Sequence, residues 1–468
     1  MSDDSSGGSR RKSRPRAGSP ALSRIPSVER LLASAPFVPL IEGWGRGEVK
    51  KRLVEQLDSF RREPDGLTAD EAEIAGLVRG LVERSLSSSL RSAINATGII
   101  IHTNMGRSPI DARVWASAAE LATGYSNLEL DLETGRRGRR EGHVSEIASR
   151  LFGCESAILV NNNASAVLLL LAANARDREV VVSRGELVEI GGSFRVPDVI
   201  VQGGARLREV GTTNRTRAGD FAAARGPETA AFLRVHRSNF QIVGFTESPS
   251  IGEMVAASKE SGVPLFYDEG SGRVVDLAPY GFGGEETIRQ LFEAGVDVVT
   301  CSTDKLIGAS QGGLILGPRE IIDRCARHPL MRALRVGKES YAIVAETLRA
   351  FLAEKHEDLV PIYRMIASPI ETLRERAAAI AAKSGGTVIE TRAALGGGTT
   401  PTQSLASAGV AFSPAAGPDA LREALLRWRR PILARIDEGL LIVDVRTIDP
   451  ADDEEVARAA GTFMRGVA

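Results

Sequence analysis

Cysteine is scarce: three residues in 468, at Cys154, Cys301 and Cys325, with no C-x-x-C pair. That spacing argues against a disulfide framework or a zinc site and suits a reducing, cytoplasmic setting. Long apolar runs are lacking too. No stretch approaches the roughly 18 residues that span a bilayer, so no membrane association is expected. The opening "MSDDSSGGSRRKSRPRAGSPALSR" has no apolar core of a secretory signal and reads as a disordered basic tail. Neither charge sign dominates, with 59 Lys/Arg against 60 Asp/Glu, so the whole chain is no polycation. The balance is uneven, however. Residues 1–62 carry 13 basic and 7 acidic side chains, which leaves 46 against 53 for the remainder. Any nucleic-acid contact should therefore be local to the front end.

Glycine, by contrast, is plentiful at 48 residues, as in α/β enzymes with many tight strand-to-helix turns. The length exceeds one simple core and predicts two or three domains. After the tail (1–24) comes a helical module over 25–86. In it Val49, Leu53, Leu57 and Phe60 recur at helical spacing, with Lys50, Lys51 and Arg52 off that stripe. Thr68-x-x-Glu71 predicts a capping box for a further helix. A large domain follows over 87–335. Its short apolar runs "SAILV", "EVVVS", "DVIVQ", "AAFLRVH", "VPLFYDE", "VDVVTCS" and "GGLILG" read as strands between helices, hence a mainly parallel sheet covered on both faces. A linking helix and a smaller α/β domain with strands in "GGTVIE", "GVAFSP" and "GLLIVDVRTI" occupy 336–468. There is no internal repeat.

Three elements of the large domain share one chemistry. In "LVNNNASAV" a strand ends at Val160, and a helix opens after Asn161–Asn163 at Ala164, Ser165 and Ala166. Free N–H groups and a hydroxyl there would form a phosphate site, although Asn and Ser are also ordinary caps. "VPLFYDEGSG" ends a strand in Asp268, and "CSTDKLIGAS" ends another near Lys305. An aspartate that keeps a pyridine nitrogen protonated, with a lysine that forms a Schiff base, is the pairing pyridoxal phosphate requires. Ser302, three residues before the lysine, is placed to add a hydroxyl to the phosphate. Arg107 in "HTNMGRSP", and Arg332 and Arg335 in "LMRALRVGK", suit a tetrahedral oxyanion; a salt-bridged helix face is the plain alternative for the last two. "ETGRRGRREGH" forms a dense basic loop. His236 ends a strand on the same face, where a structural role is also open.

The blocks "INATGIIIHTNMGRSPI", "YSNLELDLETGRRGRREGHV", "VNNNASAVLLLL", "VHRSNFQIVGFTE", "YDEGSGRVVDL" and "DKLIGASQGG" resemble bacterial selenocysteine synthases, the L-seryl-tRNA(Sec) selenium transferases. The resemblance extends from about residue 25 to the C-terminus. It implies a fold-type I pyridoxal-phosphate enzyme whose N-terminal helical module binds the tRNA, with active sites at dimer interfaces in a decameric ring. Carried over by motif, Lys305 bonds the cofactor, Asp268 partners its ring nitrogen, and Asn163, Ala164, Ser165 and Ala166 line its phosphate. Arg107, Arg332 and Arg335 hold selenophosphate, and Asp304 is an active-site acid. The implied reaction converts seryl-tRNA(Sec) to selenocysteinyl-tRNA(Sec) by loss of water and addition of selenium. Thr303, Ala309, Ser310 and Gly312 depart from the family's usual lysine motif without removing a catalytic group. The alternatives are a pyridoxal-phosphate lyase acting on a small amino acid or amino sugar, and a tRNA-binding protein without activity.

Overall fold

The computed structural model describes residues 26–62, 70–86, 88–190, 194–397, 399 and 403–466. The basic tail and Thr68 lie outside them. The chain divides into two compact units, Met1–Arg91 and Ser92–Ala468.

In the first unit, helices α1 (Val28–Ala33), α2 (Val38–Trp44), α3 (Arg46–Arg62) and α4 (Glu71–Leu86) enclose one small core. The stripe read from the sequence is the face that α3 buries: Val49, Leu53, Leu57 and Phe60 all lie inside. Helix α4 is capped by Asp70, which accepts from the backbone N–H groups of Ala72 and Glu73 at 2.7 and 3.1 Å. The basic face is partly neutralised, since Lys50 pairs with Glu29 at 2.7 Å and Arg52 with Glu48 at 2.7 Å.

The second unit opens with β1 (Ile94–Ala96), β2 (Ile99–Ile101), α5 (Ala112–Thr123), α6 (Gly142–Phe152), β3 (Ser156–Val160), α7 (Asn163–Asn174) and β4 (Glu179–Ser183). It continues through a small hairpin, β5 (Glu189–Ile190) and β6 (Phe194–Arg195), to α8 (Val196–Gln202), β7 (Arg206–Val210) and β8 (Thr229–Val235). Then come β9 (Leu265–Gly270), β10 (Val298–Ser302), β11 (Gly313–Gly317), β12 (Thr387–Gly396), β13 (Ser404–Phe412), β14 (Ile432–Asp437) and β15 (Leu440–Asp444).

Seven strands form the main sheet, in the order β3-β11-β10-β9-β8-β4-β7. All neighbours are parallel except β11, which runs against both β3 and β10. Alternate side chains enter two separate helical layers: Val181 packs into one core cluster, Val180 and Val182 into the other. This is the covered, mainly parallel α/β sheet expected of the fold-type I class.

One run departs from the reading above. "DVIVQ" is not a strand but the end of α8, which Pro197 opens in its first turn. Val196 and Ile200, four apart, are buried while Val201 is exposed, so helical packing on the sheet overrides β-branched preference. The second sheet, β1-β14-β15-β13-β12-β2, joins the C-terminal strands to the segment 94–101. That segment, grouped by sequence with the large domain, pairs in parallel with β14 and β12. Its three-residue strands are too short to show a period.

Candidate active site

Strands β3, β8, β9 and β10 end on one edge of the main sheet, the edge at which open α/β sheets bind ligands. Asp268 sits near the C-terminal end of strand β9 and is almost wholly buried. Its Oδ1 accepts from Asn163 Nδ2 at 2.7 Å and from Thr300 Oγ1 at 3.0 Å. Burial pushes the Asp268 carboxyl above its ordinary range, although both hydrogen bonds and the charge of Lys305 pull the other way. A carboxylate in this state gains from a cationic partner.

Lys305 follows β10 and is also buried. Its Nζ makes no hydrogen bond or ion pair among the described residues. Burial, then the positive charge of Arg107, depresses its pKa against the pull of Glu269, Asp268 and Asp304. The backbone here is tightly held. Ser108 Oγ donates to the Lys305 carbonyl at 2.6 Å, and Ser108 N–H to the Asp304 carbonyl at 3.2 Å. Two glycines make the close approach possible. At Gly272, with φ +75°, a Cβ would lie 2.5 Å from the Ser302 carbonyl; at Gly313 it would lie 2.2 Å from that of Asn162.

Arg107 pairs through Nη1 with Asp304 Oδ2 at 2.5 Å. Its backbone is left-handed, with φ 64°, a strained setting for a side-chain-bearing residue. His236 N–H donates to the Asp268 carbonyl at 2.9 Å, and its Nε2 lies 3.2 Å from Glu285 Oε1. Burial disfavours the His236 imidazolium, but the hydrogen bond and charge of Glu285, with Glu269, outweigh it and raise its pKa.

Arg107, Asn163, Ala164, His236, Asp268, Ser302, Asp304 and Lys305 line one cavity of about 240 Å³. Four buried polar atoms on its lining residues have no hydrogen-bond partner among the described residues: Asn163 Oδ1, His236 Nδ1, Ser238 Oγ and Asp304 Oδ1. Buried polar atoms are rarely left unpaired, so this donor and acceptor set fits a polar, ring-bearing ligand such as pyridoxal phosphate.

At the phosphate end the geometry differs from the reading above. Helix α7 starts at Asn163, and its cap is Asn162, whose Oδ1 accepts from Ser165 N–H at 2.8 Å. Ala166 N–H already donates to the Asn162 carbonyl, and the Ala166 side chain lies in the core. Neither Ser165 nor Ala166 is among the residues lining the cavity. The open N–H groups are those of Asn163 and Ala164, while the Asn163 side chain serves Asp268.

A family model described as L-seryl-tRNA selenium transferase matches residues 93–449. An L-seryl-tRNA(Sec) selenium transferase from Hyphomonas neptunium is 44% identical over 446 residues, covering 92% of this chain and 96% of the relative. One from Geobacter sulfurreducens is 43% identical over 451 residues, covering 93% and 97%. The chain belongs to the L-seryl-tRNA selenium transferase family. Among solved structures, a D-glucosaminate-6-phosphate ammonia-lyase shares the fold, with a TM-score of 0.60 at 21% identity, over 82% of this chain and 98% of that one.

The three arginines of this selenium transferase family member are not gathered within one chain. Arg107 faces Lys305, whereas Arg332 and Arg335 line a separate cavity of about 620 Å³ with Arg137, Arg139 and Arg140. Arg332 lies in the helix Leu330–Leu334, but Arg335 is its extended cap and bridges Val160, so the two do not share a helical face. Arg335 and Arg140 both approach Glu129.

Thr300, Ser238, Glu269 and Glu285 escaped the sequence reading. Glu269 is buried beside Asp268 and accepts from Ser271 Oγ and from Gly272 N–H. Thr300 carried a signal, because it is the polar residue of "VVTCS" two positions before Ser302. Glu285 carried none. The segment "RGELVEIGGSF" lies partly outside the described residues; Ile190 from it lines the cavity. The three cysteines are unpaired. Among the described residues no His/Cys/Asp/Glu group could hold a metal ion, and no helix is long and apolar enough to cross a membrane.

Proposed function

We propose that this chain converts L-seryl-tRNA(Sec) to L-selenocysteinyl-tRNA(Sec) with pyridoxal phosphate as cofactor and selenophosphate as selenium donor. The observation that carries the reading is the convergence of Lys305, Asn163 and Asp268, the last also bonded by Thr300, in one cavity whose lining residues carry buried polar atoms unpaired among the described residues. When bound, pyridoxal phosphate supplies a carbonyl for amine condensation and a ring that accepts electron density.

The chain's own groups have separable tasks. Asp268 holds the proton of the ring nitrogen, with Asn163 and Thr300 fixing its orientation. The N–H groups of Asn163 and Ala164, with Ser302, hold the phosphate. Lys305, whose amine is neutral at a lower pH than an ordinary lysine, removes and returns the α-proton of the seryl group. Arg107, held by Asp304, faces the β-hydroxyl and the incoming donor. His236, whose Nδ1 is unpaired among the described residues, would offer a hydrogen bond to the cofactor.

The seryl carboxyl is esterified to tRNA, so no arginine is needed for a free carboxylate. Arg332 and Arg335 are then available to the selenium donor. In a homo-oligomer with active sites at dimer interfaces, the decameric ring implied by the resemblance, they would serve the Lys305 of a second copy. The helical unit of α1–α4 is the tRNA-binding module, and the setting is cytoplasmic. The relatives' alignments span nearly the whole chain, so no observation favours the lyase reading. Incubating the loaded protein with seryl-tRNA(Sec) and selenophosphate should yield selenocysteinyl-tRNA(Sec), with free serine untouched. Consumption of free serine instead would replace the proposal by the lyase.

A further inference from the structure

The cavity at Lys305 is small and is filled, on the reading above, by the cofactor and the reacting atoms. A seryl group esterified to tRNA also brings the terminal nucleoside to within one ester linkage of Lys305. A second cavity, of about 420 Å³, shares the lining residue Arg107 with the first. Its volume is within the usual range for small-molecule sites, about 300–1,000 Å³. Its wall combines the apolar side chains of Met105, Ile110 and Met365 with the carboxylates of Asp449 and Asp452.

The electrostatics narrow the class of occupant. Every arginine on this wall is already matched: Arg364 with Asp111 at 2.6 Å, Arg430 with both oxygens of Asp452, and Arg107 with Asp304. A cavity whose cations are all paired is a poor host for a free phosphate or carboxylate. It suits a neutral group with hydrogen-bond donors at its edges. Asp449, exposed at the rim, spends one oxygen on the backbone N–H of Ala451. Its carboxylate can accept from a ribose hydroxyl or an exocyclic amine.

The junction is also rigid. Arg107 N–H donates to the His102 carbonyl at 3.0 Å, and the next residue, Ser108, is bonded to both Asp304 and Lys305. A group seated against Met105 would thus be held in fixed register with Lys305. We propose that this cavity binds the terminal adenosine of the aminoacyl-tRNA, a subsite that rests on the function proposed above.

The test uses the full-length, cofactor-loaded protein and tRNA(Sec) carrying a photoreactive azidoadenosine at its terminus. Labelling should fall in segments 105–112, 361–365 or 447–452. Labelling confined to other segments would overturn the proposal, and because the chain is unmodified the result does not depend on a variant folding. In parallel, uncharged tRNA(Sec) should bind about tenfold more tightly than the same tRNA trimmed of its last nucleotide. Met365→Trp, which fills the cavity, should abolish that difference; a difference kept in full would contradict the subsite. Failure of the wild-type protein to convert seryl-tRNA(Sec) would instead defeat the proposed function, whatever segment is labelled.

Discussion

A carboxylate sealed from water, as Asp268 is, keeps its charge when something positive faces it, and here that is the task assigned to the protonated ring nitrogen of the cofactor. Thr300 Oγ1 and Asn163 Nδ2 hold it in place. Removing one donor to a buried acceptor costs roughly 1–3 kcal/mol. Thr300→Val should accordingly weaken pyridoxal-phosphate binding about tenfold, measured as a dissociation constant by absorbance titration. Lys305 gives a pH prediction. Burial lowers its pKa, so the amine is deprotonated at a lower pH than a free lysine. The rate of cofactor uptake by the apoprotein should therefore rise with pH and reach its midpoint below the ordinary value of 10.5. A midpoint at or above that value would mean that the site does not disfavour the ammonium. Lys305 and Asp268 were legible in the sequence because ionisable residues at the ends of apolar strands stand out. Ser238 and Glu285 were not, because their roles depend on which strand or loop lies beside them.

Helices and strands were legible where the pattern was long or the strand fully buried. The α3 stripe and six of the seven apolar runs of the large domain folded as read. "DVIVQ" did not, since composition cannot separate a short buried helix from a strand, and Pro197 in its first turn was the signal overlooked. The strands β1 and β2 were missed because their partners lie at the far end of the chain. The start of α7 was misplaced by one residue, which moved the cap from Asn162 to its neighbours. Asn162→Ala should cost about 1 kcal/mol in stability through the lost cap, and it should loosen the phosphate end of the site. Thermal unfolding with and without cofactor would read both effects. In α3, Leu53 is wholly buried. Leu53→Ala should destabilise the helical unit by about 2–5 kcal/mol and impair tRNA binding, while cofactor uptake by the second unit is preserved.

The chain has two compact units, and the function proposed above assigns the first to holding a tRNA and the second to chemistry on its charged end. A near-neutral chain with a locally basic front end should bind tRNA with an affinity that falls as salt rises, with the phosphate contacts concentrated at that end. The separation of Arg332 and Arg335 from Lys305 within one chain is the part of the site that sequence could not anticipate, because spacing along the chain does not say which cavity a side chain enters. The central claim is that selenium transfer to a charged tRNA, on the proposed function, depends on proton movement by Lys305. Its most direct test is a single-turnover reaction of the cofactor-loaded protein with radiolabelled seryl-tRNA(Sec) and selenophosphate, run beside Lys305→Ala. Wild type should carry the label into selenocysteinyl-tRNA(Sec), while Lys305→Ala should form none yet bind the tRNA with unchanged affinity. Undiminished product from Lys305→Ala, or loss of its tRNA binding, would contradict the account.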